Sequence, residues 1–231
     1  MLRYLLCDLD NTLYPPDNGL WHAIGRRIDR YMIERLGYRP DEVSRRRDDY
    51  MNTFGTTLNA LRHHYGIDPF DFLAYVHDIP LQRYLRFSPE LNTMLGRLNL
   101  RKVIFTNADA PHAERVLGHL GIAHHFERII DIQALDFQNK PDHAAYFKAM
   151  EFLDARPEEC LFADDSLLNL IPARALGMVT VLVGEGVQRE DVDYQIRRII
   201  DLEAVLDAQQ ILPRTTEGNR RSGIYTRRHK S

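Results

Sequence analysis

The sequence predicts an α/β fold: a parallel sheet with helices on both faces, interrupted early by a helical insert. Three observations predict it. Short apolar runs alternate with amphipathic helical stretches from about residue 88 onward, the pattern of a parallel sheet built from strand–helix–strand units. One further apolar run, Tyr4-Leu5-Leu6-Cys7, stands almost at the N-terminus. Between that strand and residue 88 the periodicity is helical only.

The elements follow in order. Tyr4 to Cys7 reads as a buried strand, and Asp8-Leu9-Asp10-Asn11-Thr12 leaves its carboxyl end. The chain turns at Pro15-Pro16, and Leu20, Ile24, Ile28, Met32 and Leu36 then recur every four residues, one face of a helix that Gly37 stops. Helical patterns follow at 41–54, 56–65 and 69–77. Ser88-Pro89-Glu90 combines an N-cap, a proline at the first helical position and an acid in the first turn. Lys102 to Thr106 is a strand, a helix runs from about Pro111 to Gly121, and Ile129 to Ile132 is a short strand. A helix is expected from Pro141 to Leu153, a strand over Cys160 to Asp164, a helix to Leu176 capped by Gly177, and a fifth strand over Met178 to Val183. A last amphipathic helix is expected over 191–208. The domain reading is a Rossmann-like core of 1–14 plus 88–212, a helical cap domain at 15–87 and a tail at 213–231. The tail lacks apolar periodicity, carries six Lys/Arg against Glu217, and reads as a disordered basic segment.

Composition excludes several classes. With 231 residues, 44% hydrophobic and 27% charged, the chain can bury a sizeable core. A net charge of −3 gives no global attraction to nucleic acid. No apolar run approaches the roughly 18 residues of a membrane span, and a strand at the N-terminus leaves no room for a signal peptide. Two cysteines, Cys7 and Cys160, both in strand-like runs, read as buried thiols in a reducing cytoplasm. A monomer or homodimer is expected.

Open α/β sheets bind ligands at the carboxyl ends of their strands. Four groups are expected there: Asp8 and Asp10 after the first strand, Thr106-Asn107 after the second, Lys140-Pro141 at a helix start after the third, and Asp164-Asp165-Ser166 after the fourth, with Asn169 one turn on. Several carboxylates in one pocket call for a cation, and hard oxygen ligands favour Mg²⁺. Lys140 and that cation would balance a dianionic phosphate, and the Thr106 hydroxyl can bond its oxygens. A carboxylate nucleophile is a known device for phosphoryl transfer.

This ordered set resembles the four motifs of the haloacid dehalogenase-like hydrolase superfamily over roughly residues 2–186, and the insert looks like its helical cap of the first type. The resemblance implies that Asp8 is the nucleophile, forming an aspartyl-phosphate, and that Asp10 is general acid and then base, with its backbone carbonyl on Mg²⁺. It implies that Thr106 and Asn107 bind phosphate, and that Lys140 steadies phosphate and Asp8. Asp165 would be a direct metal ligand beside Asp8, with Asp164 direct or through water. Asp8 to Pro15, Tyr50 to Leu58 and Phe105 to Ala108 further resemble the pyrimidine 5′-nucleotidase branch, whose substrates are nucleoside monophosphates such as UMP and CMP. The fourth motif departs from the commoner forms at Ala163, a change of packing rather than chemistry. The competing readings are a phosphatase of another small metabolite such as a sugar phosphate, a phosphomutase, a dehalogenase and a catalytically idle binding protein. Asp10 and Asp165 speak against the dehalogenase. The paired histidines His63-His64 and His124-His125 have no metal-ligand spacing and read as solvated. So do the charges of 45–49. Gly184-Glu185-Gly186 lacks the third glycine of a dinucleotide fingerprint.

Overall fold

The computed structural model describes residues 1–186 and 189–208. The tail at 213–231 lies outside them.

Tyr4–Cys7 forms β1, whose four residues are all buried. The helical insert follows: α1 (Leu20–Leu36), α2 (Val43–Phe54), α3 (Thr57–Tyr65) and α4 (Pro69–His77). Local chemistry sets their ends. Gly37, Gly55 and Gly66 stop α1, α2 and α3 in left-handed conformation, and Thr56 and Asp68 cap α3 and α4 with side-chain oxygens. Tyr31, Met32, Leu58, Leu61, Phe72, Leu73 and Val76 give the insert an apolar core of its own, which reaches Ile132 of the sheet unit.

The chain then runs α5 (Pro89–Arg97), β2 (Arg101–Phe105), α6 (Ala110–Leu120), β3 (Phe126–Ile130), α7 (His143–Leu153), β4 (Cys160–Asp164), α8 (Leu167–Ala175), β5 (Val179–Val183), β6 (Tyr194–Ile196) and α9 (Leu202–Ala208). All strand pairs are parallel, in the order β3-β2-β1-β4-β5-β6. Alternation distributes β1 between two cores. Leu5 and Cys7 face one layer with Leu95, Val116 and Leu202, and Tyr4 and Leu6 face the other with Tyr146, Ala149 and Leu170. A sheet covered on both faces needs such continuously apolar strands. Cys7 and Cys160 are free and buried, and burial pushes both thiols up to about 12, so neither is a reactive thiolate.

Three expectations change. The stretch expected to be a helix over 191–208 holds β6 and a short 3₁₀ turn, and the α-helix begins only at Leu202. Tyr194 and Ile196 alternate against Val181 and Val183, and this pairing outweighs a helical periodicity shared by too few residues. The third strand begins three residues and ends two residues earlier than expected, at Phe126–Ile130. Lys140-Pro141 precedes rather than opens its helix: Asp142 is the cap and α7 starts at His143.

The strand order reverses between β1 and β4, because the chain moves outward through β2 and β3 and then returns to the other side of β1. The crevice at such a switch point is where ligands bind, and Asp8 and Asp164 stand on its two walls.

Candidate active site

Lys140 organises the centre. Its ammonium is 1% exposed and donates to Asp8 Oδ1 at 2.8 Å, Asp164 Oδ2 at 2.8 Å and the Phe105 carbonyl at 2.7 Å. An ammonium has three protons, and all three are used. Burial opposes the Lys140 charge, but Asp164 and Asp8 overcome it and hold the ammonium's proton more tightly than usual. The loop that delivers Lys140 is held by Asn107, whose amide donates to the Lys140 carbonyl at 3.0 Å and accepts from its N–H at 2.9 Å. The Asn107 side chain is therefore spent on the Lys140 backbone. The expected phosphate contact from Asn107 would have to come from its main chain.

Asp164 is fully buried and fully engaged. Besides Lys140, it accepts from the Ser166 N–H at 2.8 Å and from Asn169 at both oxygens. Asp165 stands at the rim, exposed as a residue but with a carboxyl oxygen in the cluster. Oxygens of Asp8, Asp164 and Asp165 lie within 4.8 Å of one another. Burial, then the charge of Asp164, pushes the Asp165 carboxyl up to about 6, against the pull of Lys140. Burial likewise pushes Asp8 up, opposed by Lys140 and reinforced by Asp164 and Asp165. Three carboxylates against one ammonium leave an excess of negative charge in a poorly solvated place, and an all-oxygen set of this kind fits a hard divalent cation such as Mg²⁺. Thr106 follows β2 and is buried. Its hydroxyl oxygen accepts from the Ala108 N–H at 3.0 Å, and its own proton has no acceptor among the described residues.

Asp10 has partners that no spacing in the sequence announced. Its Oδ1 accepts from the Tyr14 hydroxyl in a short hydrogen bond, and from His112 Nε2 at 3.0 Å. Burial works against its ionisation, but the His112 charge and the bonds from His112 and Tyr14 hold the carboxyl below its ordinary range. His112 stacks on His77, with ring centroids 4.1 Å apart and planes 17° from parallel, and His77 Nδ1 bonds Asp109 Oδ1 at 2.6 Å. The only signal for His112 was its place in the first turn of the helix after Thr106-Asn107, and His77 had none. The pairs that did stand out, His63-His64 and His124-His125, sit outside this cluster. His63 and His64 are exposed beside Phe54 and Tyr50 of the insert.

The insert touches the Lys140 loop directly. Asn59 donates to the Phe137 carbonyl at 2.8 Å and bonds Asn139, whose amide reaches the Lys140 carbonyl at 2.7 Å. Gly55 has φ +72°, and a Cβ there would stand 2.2 Å from Asn139 Nδ2 and 3.3 Å from the Lys140 carbonyl and Pro141 Cδ. Gly55→Ala is therefore expected to lower the melting temperature by several degrees, from about 1 kcal/mol of backbone strain together with loss of this contact. A thermal melt checks it, and an unchanged midpoint would contradict the contact.

The Asp165 shift carries a second prediction. A carboxyl raised in the folded state binds its proton more tightly than in the unfolded chain, so its contribution to stability falls as pH rises from about 4 to about 6. A cation on the cluster removes that cost. The rise in melting temperature on adding Mg²⁺ is expected to be larger at pH 7.5 than at pH 5, and a shift independent of pH would argue against this site.

A family model described as haloacid dehalogenase-like hydrolase matches residues 2–177. Phosphate metabolism protein 8 of Saccharomyces cerevisiae is 26% identical over 212 residues, covering 84% of this chain and 64% of its own length. The chain thus spans just under two thirds of that relative. Glyceraldehyde 3-phosphate phosphatase of Methanopyrus kandleri is 29% identical over 206 residues, covering 80% of this chain and 85% of its own. Among solved structures, a HAD phosphatase from Thermococcus onnurineus superposes with a TM-score of 0.61 at 20% identity, over 89% of this chain and 98% of that one. At that identity the likeness concerns the fold. Among the described residues no helix is long and apolar enough to cross a membrane.

Proposed function

The chain belongs to the haloacid dehalogenase-like hydrolase family, and from that premise we propose that it is a Mg²⁺-dependent phosphomonoester hydrolase that works through an aspartyl-phosphate. The observation that carries the proposal is the Lys140 hub, which fixes Asp8 beside Asp164 and Asp165 at the switch point of the sheet while Asp10 is held apart by its own donors.

Asp8 is the nucleophile. Its carboxylate forms a bond to phosphorus as the bond from phosphorus to the leaving oxygen breaks, and Asp10 protonates that oxygen. Asp10 then takes a proton from water, whose oxygen attacks the same phosphorus and returns Asp8 as a carboxylate with inorganic phosphate as product. Asp10 is held ionised in the free protein, so the proton it passes to the leaving oxygen is one taken from solvent as the negative charge of the substrate enters. Lys140 offers no spare proton to the substrate. It balances charge and fixes the orientation of Asp8. The Thr106 hydroxyl and main-chain N–H groups, that of Asn107 among them, bind phosphate oxygens. Asp8, Asp165 and the Asp10 carbonyl would hold Mg²⁺, with Asp164 beside them. The ion would supply charge neutralisation to the phosphoryl group. The helical insert serves as a cap that excludes water and selects the leaving group.

For the substrate we propose a small phosphorylated metabolite, and in the first place a pyrimidine nucleoside monophosphate. The support is the likeness of Asp8 to Pro15, Tyr50 to Leu58 and Phe105 to Ala108 to the nucleotidase branch. A second reading, a phosphorylated three-carbon sugar, is favoured by the similarity to the Methanopyrus enzyme. We place the protein in the cytoplasm on its two buried thiols. Phosphate release from UMP, CMP, purine monophosphates, sugar phosphates and an aryl phosphate, with Mg²⁺ and with EDTA, tests both. Release with Mg²⁺ and a preference for UMP and CMP is expected. A preference for triose phosphates would move the assignment to the second reading, and no release from any ester would overturn the hydrolase proposal.

A further inference from the structure

The stacked pair His77–His112 has no part in the chemistry above, yet it touches the proposed acid. Both rings are buried, and they come from different parts of the chain. His112 lies in the first turn of α6, and His77 ends α4, the last helix of the insert. His112 Nδ1 is buried with no hydrogen-bond partner among the described residues. A buried ring nitrogen without a partner loses its hydration with nothing in return, so a histidine serving only as core filler would be poorly suited to the place. Among the described residues the ring's polar and stacking partners are Asp10, through Nε2, and His77. His77 is in turn fixed by Asp109, and Arg115 donates to the His77 carbonyl at 2.8 Å and to the Ile79 carbonyl at 2.5 Å, tying the chain that leaves the insert to α6.

Both donors to Asp10, Tyr14 and His112, reach the same oxygen, Oδ1. Oδ2 is left for the substrate. His112 thus acts with Tyr14 on Oδ1, and Asp109 and Arg115 fix His77 where it meets His112.

We propose that His112 is a positioning residue that orients Asp10 toward the leaving group, and that His77 carries the position of the insert to it. The inference rests on the role given to Asp10 above.

The test compares two esters by kcat/KM, which reports the steps up to phosphorylation of Asp8. An alkyl phosphate needs its leaving oxygen protonated, and 4-nitrophenyl phosphate scarcely does. His112→Met keeps the bulk and removes the donor. It is expected to lower kcat/KM for the alkyl ester by about 10²-fold, the lower range of general acid catalysis, and for the aryl ester far less. His112→Gln places an amide N–H at similar reach and is expected to recover most of the alkyl rate. His77→Phe keeps a ring against His112 without the Asp109 bond. A partial loss with the same bias toward the alkyl ester is expected, and this variant decides the matter should His112→Met fail to fold. Equal losses on both esters, or no recovery with Gln, overturn the inference. Failure of the wild-type protein to hydrolyse either ester with Mg²⁺ would instead overturn the hydrolase reading on which it rests.

Discussion

Asp8→Asn is expected to reduce turnover by at least about 10⁴-fold, the scale seen when a nucleophile is removed, while leaving the fold intact. The two side chains have the same shape, and the amide oxygen can still accept from Lys140 where Asp8 Oδ1 does, at 2.8 Å. An amide cannot attack phosphorus to give an acyl phosphate. The substitution also removes a carboxyl whose ionisation burial already resists, so the melting temperature should hold or rise. Phosphate release, the melting curve and a search for phosphorylated protein in a rapidly quenched reaction check the three parts. The wild-type chain should carry phosphate on Asp8 and the variant none. Near-normal turnover by a well-folded Asp8→Asn would end the covalent mechanism.

Lys140→Met should cost both activity and stability. It leaves Asp8 and Asp164 buried side by side without their cation, and breaking a buried ion pair from one side costs about 3–5 kcal/mol. The Asp8 carboxyl, raised already, would rise further, so the native state would bind a proton that the unfolded chain releases. The sign is then fixed: the variant's stability falls as pH rises above the ordinary carboxylate range, and its deficit against wild type should be larger at pH 8 than at pH 5. Urea unfolding at the two pH values measures it. Adding Asp8→Asn to Lys140→Met removes one of the stranded charges, so the double variant should be more stable than Lys140→Met alone. An equal deficit at both pH values, with no gain from the second change, would mean that Lys140 does not balance these carboxylates.

Expected and observed elements differ where few residues carry the signal. Tyr4 to Cys7 and Cys160 to Ala163 were legible because four consecutive apolar residues ended by a carboxylate are too short for a buried helix and fit a strand covered on both faces. β6 has three residues, and only its register against Val181 and Val183 distinguishes it. The helix starts were legible wherever a cap lies beside its proline, as at Ser88-Pro89. The motif Lys140-Pro141 pointed to a helix start two residues early, because Asp142 competes for the cap and wins.

The sequence alone determined the α/β class, the helical insert after the first strand and the chemistry on offer: Asp8, Asp10, Thr106, Lys140, Asp164 and Asp165, each at a strand end or beside a helix start. These properties are local. A carboxylate after a strand or a lysine before a helix start depends on neighbours in the chain. How those groups share their contacts depends on the folded chain. Lys140 gives all three protons to the protein, Asn107 serves the Lys140 backbone, and Asp164 is buried and saturated while Asp165 joins the cluster from the rim. His77 and His112, 35 positions apart, meet face to face beside Asp10. Hydrogen bonds and stacking act over a few ångströms in space and are indifferent to separation along the chain, so these partners become visible only when the sheet and its insert are folded together.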